Sequence, residues 1–132
     1  MKMTMANFRH AMTLFCTRDL KASDAFYGGL LGLERVMDAP EALLYRLSDT
    51  AYFGLTARPG REPKAGAALI EFTVGTDQEV DDWYAKITGA GFETDGAPRD
   101  TGAVYCFFCT DPNGYIVEIF RPKNPAAIGL AT

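Results

Sequence analysis

Cysteine is scarce in this chain of 132 residues: Cys16, Cys106 and Cys109 are the whole complement. So sparse and odd a set suits reduced thiols better than a disulfide framework. No apolar run approaches the ~20 residues needed to cross a bilayer, so no membrane partner is expected. There is no Lys/Arg stripe and the net charge is −4, so nucleic-acid binding lacks its electrostatic footprint. The segment Met1-Lys2-Met3-Thr4-Met5-Ala6-Asn7-Phe8-Arg9-His10 carries basic residues with no continuous apolar stretch behind them. It does not read as a signal peptide, and the expected compartment is the cytoplasm.

What is present suits a soluble globular domain. A chain of this length buries roughly two-thirds of the surface that its unfolded form exposes, enough for a core without staples. Cys106 and Cys109 form a CxxC at first sight, but they lie in the apolar run Ala103-Val104-Tyr105-Cys106-Phe107-Phe108-Cys109. Residues three apart in a strand point to opposite faces, which argues against a metal or redox pair.

The chain contains the same unit twice. A strand-like run from Phe8 to Thr17 leads to Asp19-Leu20-Lys21-Ala22-Ser23-Asp24-Ala25-Phe26-Tyr27 and then Leu31-Gly32-Leu33-Glu34. A run from Ala68 to Val74 leads to Thr76-Asp77-Gln78-Glu79-Val80-Asp81-Asp82-Trp83-Tyr84 and then Ala90-Gly91-Phe92-Glu93. Trp83-Tyr84 stand 57 positions after Phe26-Tyr27.

Thr76 to Glu79 reads as a capping box, with Val80, Trp83, Tyr84 and Ile87 on one helix face and Gly89 and Gly91 as the stop. The first helix is expected to start at Asp19 and to bury Ala22, Phe26 and Leu30, with Gly28-Gly29 weakening its later part. A hairpin region follows each helix: Leu43 to Leu47 and Ala51 to Thr56 in the first unit, Ala103 to Cys109 and Tyr115 to Phe120 in the second. Asp111-Pro112-Asn113-Gly114 suits a type I turn. These signals divide the chain into module one at about 7–57, a linker at 58–66, module two at about 67–122 and a tail at 123–132.

With Asp19-Leu20, Ser23, Phe26-Tyr27, Leu31-Gly32-Leu33 and Asp111 to Ile119 in view, the chain resembles the vicinal oxygen chelate superfamily. That group includes glyoxalase I, bleomycin-resistance proteins and extradiol dioxygenases. The resemblance implies an α+β fold of two tandem βαβββ modules, whose curved mixed sheets surround a cleft, and a homodimer. Fold alone does not fix chemistry here, because the superfamily holds metal enzymes and metal-free binders alike.

In metal-dependent relatives the ligands come from the first and last strands of each module. By the duplication, those positions here are Met12, Leu69, Gly54 and Glu118, of which only Glu118 carries a ligand group. A stable Zn, Ni or Fe site needs three or four protein ligands, so no metal cofactor is expected. If a metal binds at all, the resemblance leaves Glu118 and His10 to hold it. His10 lies two residues before Met12 and is expected on the same strand face.

Glu118 alternates with Ile116 and Phe120, and an apolar wall around it raises its pKa or makes it seek a cation. It is therefore the candidate catalytic base, although no partner base or nucleophile is evident beside it. Parity places Met12, Leu14, Cys16, Tyr52, Gly54, Leu69, Glu71, Glu118 and Phe120 along the cleft, with Gly54 leaving room for a ligand. Phe15, Phe26 and Phe72 are expected to face the helices. Such a lining suits a planar or amphiphilic organic molecule. The expected function is metal-free binding or sequestration, as in bleomycin-resistance proteins, and the alternative is a metal-dependent glyoxalase-like lyase, isomerase or dioxygenase.

Overall fold

The computed structural model describes residues 7, 9–66, 68–128 and 130. Most of the N-terminal stretch read for a leader, and part of the 123–132 tail, lie outside the described residues. The chain forms two compact units, Met1–Pro63 and Lys64–Thr132. Among the described residues, no helix is long and apolar enough to cross a membrane.

Each unit has the same order of elements. In the first, β1 (Ala11–Cys16) leads to α1 (Leu20–Asp24), which continues as a π-helical segment (Ala25–Leu30), and then to β2 (Glu34–Ala39), β3 (Ala42–Arg46) and β4 (Ala51–Thr56). In the second, β5 (Leu69–Thr73) leads to α2 (Asp77–Gly89), β6 (Arg99–Asp100), β7 (Val104–Thr110) and β8 (Ile116–Pro122), with a closing 3₁₀ turn (Pro125–Ile128). The sheets are ordered β1-β4-β3-β2 and β5-β8-β7-β6. In both, the first strand pairs parallel with the last and the remaining pairs are antiparallel. These are the two tandem βαβββ modules of an α+β fold.

The local signals explain the elements. Thr76 Oγ1 accepts from the Glu79 N–H at 3.1 Å, and Glu79 Oε1 turns back to accept from the Gly75 N–H at 3.2 Å. Reciprocal bonding of this kind satisfies donors that the first helical turn leaves free. Asp19 caps α1 by accepting from the Ala22 N–H at 3.1 Å. At Asp111-Pro112-Asn113-Gly114, the Gly114 N–H closes on the Asp111 carbonyl at 3.0 Å, and Gly114 takes φ +88°, which glycine adopts without steric cost.

The first helix departs from the expected buried face. Its buried residues are Ser23, Phe26, Tyr27 and Leu31, while Ala22 and Leu30 are only half-buried. The cause is the wider winding after Asp24: the Leu31 N–H reaches back five residues to the Phe26 carbonyl at 2.9 Å, so the inward face advances. Gly28-Gly29 do not end the helix; they lie inside this wider turn.

One tether recurs in both modules. Tyr45 on β3 donates its hydroxyl to Asp24 at 2.6 Å, and Tyr105 on β7 donates to Asp81 on α2 at 2.7 Å. Burial, with Asp24 beside it, raises the Tyr45 phenol pKa well above its usual range. Gly28 makes room for the first tether, since a Cβ there would stand 2.5 Å from Asp24 Oδ1. Around it Tyr27, Tyr45 and Phe53 form an aromatic core, with Tyr27 and Phe53 centroids 4.8 Å apart. In the second module Val80 and Ile87 of α2 are fully buried, and Tyr84 meets Phe107 edge-on with centroids 5.4 Å apart.

Replacing Tyr45 with Phe keeps the ring but leaves the Asp24 carboxylate short of a donor. The expected loss is about 1–2 kcal/mol of unfolding free energy, read by urea denaturation. An unchanged midpoint would show that the tether adds nothing.

Candidate functional site

The pleat sorts the second module's residues. Phe107 pairs with Ile119, Tyr105 with Arg121 and Cys109 with Val117. Tyr105, Phe107 and Arg121 all contact α2 through Asp81, Tyr84 and Asp77, so this set faces the helix. The alternate set therefore lies on the helix-free face. There Leu69 pairs with Ile116, Glu71 with Glu118 and Thr73 with Phe120 across β5 and β8. Across β7, Phe108 pairs with Glu118 and Cys106 with Phe120, and Arg99 of β6 stands opposite Cys106.

Glu118 sits at the middle of this face and is 7% exposed, with exposed Leu69 and Ile116 beside it at 51% and 40%. Burial, reinforced by a hydrogen bond and like charge from Glu71, pushes its carboxyl up to about 7. A Cys106 hydrogen bond and the charge of Arg99 oppose that rise. Glu71 stands directly across the β5–β8 ladder from Glu118, and Cys106 lies on the neighbouring strand β7.

Arg99 is held in place. It is paired with Asp95, whose carboxyl it holds below the usual carboxylate range, and its guanidinium lies over the Phe108 ring at 5.3 Å. Asp95 Oδ1 also accepts from the Phe108 N–H at 3.2 Å. A pocket of about 670 Å³ opens at this end of the sheet, lined by Ala68, Leu69, Asp95, Phe108, Thr110 and Ile116 among others.

The remaining sequence candidates form a second strip, on the first module. Met12 pairs with Tyr52, Leu14 with Gly54 and Cys16 with Thr56. Met12 and Leu14 are 56% and 39% exposed, while Cys16 and Tyr52 are half-buried. The room expected at Gly54 is absent. A Cβ there would run into the Leu43 carbonyl oxygen and lie 3.2 Å from both Leu14 and Leu44, so the position is filled by its own sheet. His10 precedes β1, is exposed and packs edge-on against Tyr52 with centroids 5.7 Å apart.

The duplication survives in the register: Leu14 is to Gly54 as Glu71 is to Glu118. Of the residues that hold Glu118, sequence reasoning named Glu71 as a lining residue but did not pair it with Glu118. It missed Cys106 and Arg99 in this role. The parity that sets Cys106 and Cys109 on opposite faces was legible, but the partner strand was not.

Among the described residues, no three His, Cys, Asp or Glu side chains gather where an ion could be held. No disulfide joins the three cysteines, and burial pushes the Cys109 thiol up to about 12 and raises Cys106, the reverse of what metal ligation or nucleophilic attack needs.

Fold and site together define a protein of two βαβββ modules with a buried carboxyl, Glu118, on the helix-free sheet face of the second. Residues 8–119 match the Glyoxalase/Bleomycin resistance protein/Dioxygenase superfamily, and the chain belongs to it. Two curated proteins, from Vibrio parahaemolyticus and Vibrio cholerae, are 27% and 28% identical over 93% of this chain and 97% of their own length; each is called "Probable lactoylglutathione lyase". A crystal structure of a glyoxalase/bleomycin resistance protein/dioxygenase from Nocardioides superposes with a TM-score of 0.72 at 21% identity, covering 90% of this chain and 86% of that one. That likeness speaks for the fold alone.

The raised carboxyl has a consequence for stability. Its ordinary value is 4.5 and its folded value is about 7, so between these the native state holds a proton that the unfolded chain releases. Stability from this group is therefore highest below 4.5, falls as pH rises and is fully lost above about 7, by up to about 3 kcal/mol. Glu118→Gln should flatten that fall, as measured by urea denaturation at pH 5 and pH 8. An equal fall in the variant would assign it to other groups.

Proposed function

We propose that the chain is a metal-free protein that binds or sequesters a small organic molecule, as its resemblance to bleomycin-resistance proteins suggests, using the helix-free face of the second module. The observation that carries this reading is the make-up of that face. A pocket of about 670 Å³, lined by exposed Leu69 and Ile116 and by Phe108, opens on the sheet face that also carries the buried carboxyl of Glu118. Apolar walls with a few placed polar groups favour a planar or amphiphilic ligand.

The donor set supports independence from metal. Glu118 is engaged by Glu71 and Cys106, and packing fills Gly54, the corresponding position of the first module. A carboxyl that keeps its proton near neutral pH is a poor ligand for a divalent ion, because ligation requires the deprotonated form. The reading includes a homodimer, and a cytoplasmic location that sparse cysteines outside any disulfide favour.

A second reading is a glyoxalase-like lyase, isomerase or dioxygenase. Two observations favour it: the name carried by the Vibrio relatives, and the position of the Glu118 carboxyl near neutrality, where a general base works best.

Calorimetric titration of the metal-stripped protein with Zn²⁺, Ni²⁺, Mn²⁺ and Fe²⁺ separates the two. The expected result is no binding tighter than about millimolar and no turnover of lactoylglutathione in either direction. Micromolar binding that is lost in both Glu118→Ala and His10→Ala, together with turnover, would overturn the binding reading in favour of the enzyme.

A further inference from the structure

We infer that Phe108 is the specificity-determining residue of the second module's pocket, and that the ligand class it selects is an uncharged planar aromatic. The inference deepens the reading of that pocket as a small-molecule site and rests on it.

Most of the pocket wall makes little distinction between ligands. At about 670 Å³ the cavity falls within the roughly 300–1,000 Å³ of small-molecule sites. Ala68, Leu69 and Ile116 supply aliphatic surface, which contributes in proportion to the apolar area covered, whatever covers it. A saturated bicyclic ligand and an aromatic one of equal size gain nearly the same from such a wall. Among the described residues that line the pocket, Phe108 is the one aromatic. Only a π-system can add a stacked or edge-on ring contact to the area that it buries there.

The surroundings of Phe108 prepare it for this role. On β7 it alternates with Phe107, whose ring meets Tyr84 of α2, so Phe108 lies on the helix-free face, where it is half-buried. Its backbone is anchored twice to one residue: the Phe108 N–H donates to Asp95 Oδ1 at 3.2 Å, and the Phe108 carbonyl accepts from the Asp95 N–H at 3.1 Å. The Arg99 guanidinium lies over the ring, 5.3 Å from its centroid, and is itself held by Asp95. A ring fixed at its backbone and covered by a paired side chain has little freedom left to lose when a ligand arrives. The same ion pair sets the charge preference. Asp95 lines the pocket, but Arg99 answers its carboxylate, so this wall does not call for a charged ligand.

Two probes isolate the ring contact. The compounds 2-naphthol and decahydro-2-naphthol share a fused bicyclic skeleton and a hydroxyl, and differ in aromaticity. In calorimetric titrations of the unaltered protein, 2-naphthol should bind roughly three- to tenfold more tightly, the ratio that a ring–ring contact supplies beyond area burial. Phe108→Leu keeps an apolar side chain without the ring and should bring the two affinities together. Phe108→Tyr restores the ring and should keep them apart. Nuclear Overhauser contacts between bound 2-naphthol and the Phe108 ring in the unaltered protein test the same point without any variant. Equal affinities in the unaltered protein, a preference that survives Phe108→Leu, or 2-naphthol bound without contacts to the Phe108 ring overturns the inference and leaves the pocket standing as a binding site. Binding of neither compound more tightly than about millimolar overturns the reading of the pocket together with the inference.

Discussion

In each module the first strand lies parallel to the last, and this pairing organises everything else. Parallel neighbours cannot be joined by a tight turn, so the chain must travel through a helix and two further strands before it returns. The helix covers one side of the seam, where Phe15 and Leu55 pair in the first module and Phe72 and Ile119 in the second. The other side of the same seam carries Leu14 beside Gly54 and Glu71 beside Glu118. Residues forty or more positions apart in sequence thus become immediate neighbours, and Glu71 and Glu118 meet only because that closure occurs.

The two copies of the unit have diverged at this seam while keeping the same scaffold. Tyrosine-to-aspartate tethers hold helix to sheet in both, through Tyr45 with Asp24 and Tyr105 with Asp81. Where the second copy has two carboxyls, the first has leucine and glycine packed without a gap. The ionisable pair stands in one half, and apolar packing fills the same place in the other. Duplicated folds permit this, since a scaffold repeated twice needs only one functional patch.

Much of the architecture was legible from local signals. The capping box at Thr76, the Asp111-Pro112-Asn113-Gly114 turn and the hairpin strands around it all depend on neighbours close in sequence, and they fall where those signals place them. The strand β2, with Glu34, Arg35 and Asp38 among its six residues, carries no clean alternation, and β6 is two residues long; both are specified by the strands they pair with, not by their own composition. The π-helical winding that turns Tyr27 and Leu31 inward reflects tertiary packing around Ser23 and Phe26, which periodicity at 3.6 residues cannot anticipate. At the site, alternation identified Glu118 and Glu71 as residues of one face. Their pairing, and the approach of Cys106, depend on strand register across long separations, which a linear reading leaves open.

The Asp111 turn has a bearing on this register. Its carboxylate accepts from the Asn113 and Tyr115 N–H groups, each at 2.8 Å, and so fixes where β8 begins relative to β7. Strand faces alternate with every residue, so one amino acid added between 111 and 114 would carry Glu118 round to the side that faces α2 and bring Val117 to the helix-free face in its place. Evolution of this loop is therefore constrained in length as well as at Asp111 and Gly114. A single-codon insertion would turn an ionisable group towards the helix and remove the carboxyl from the helix-free face in one step.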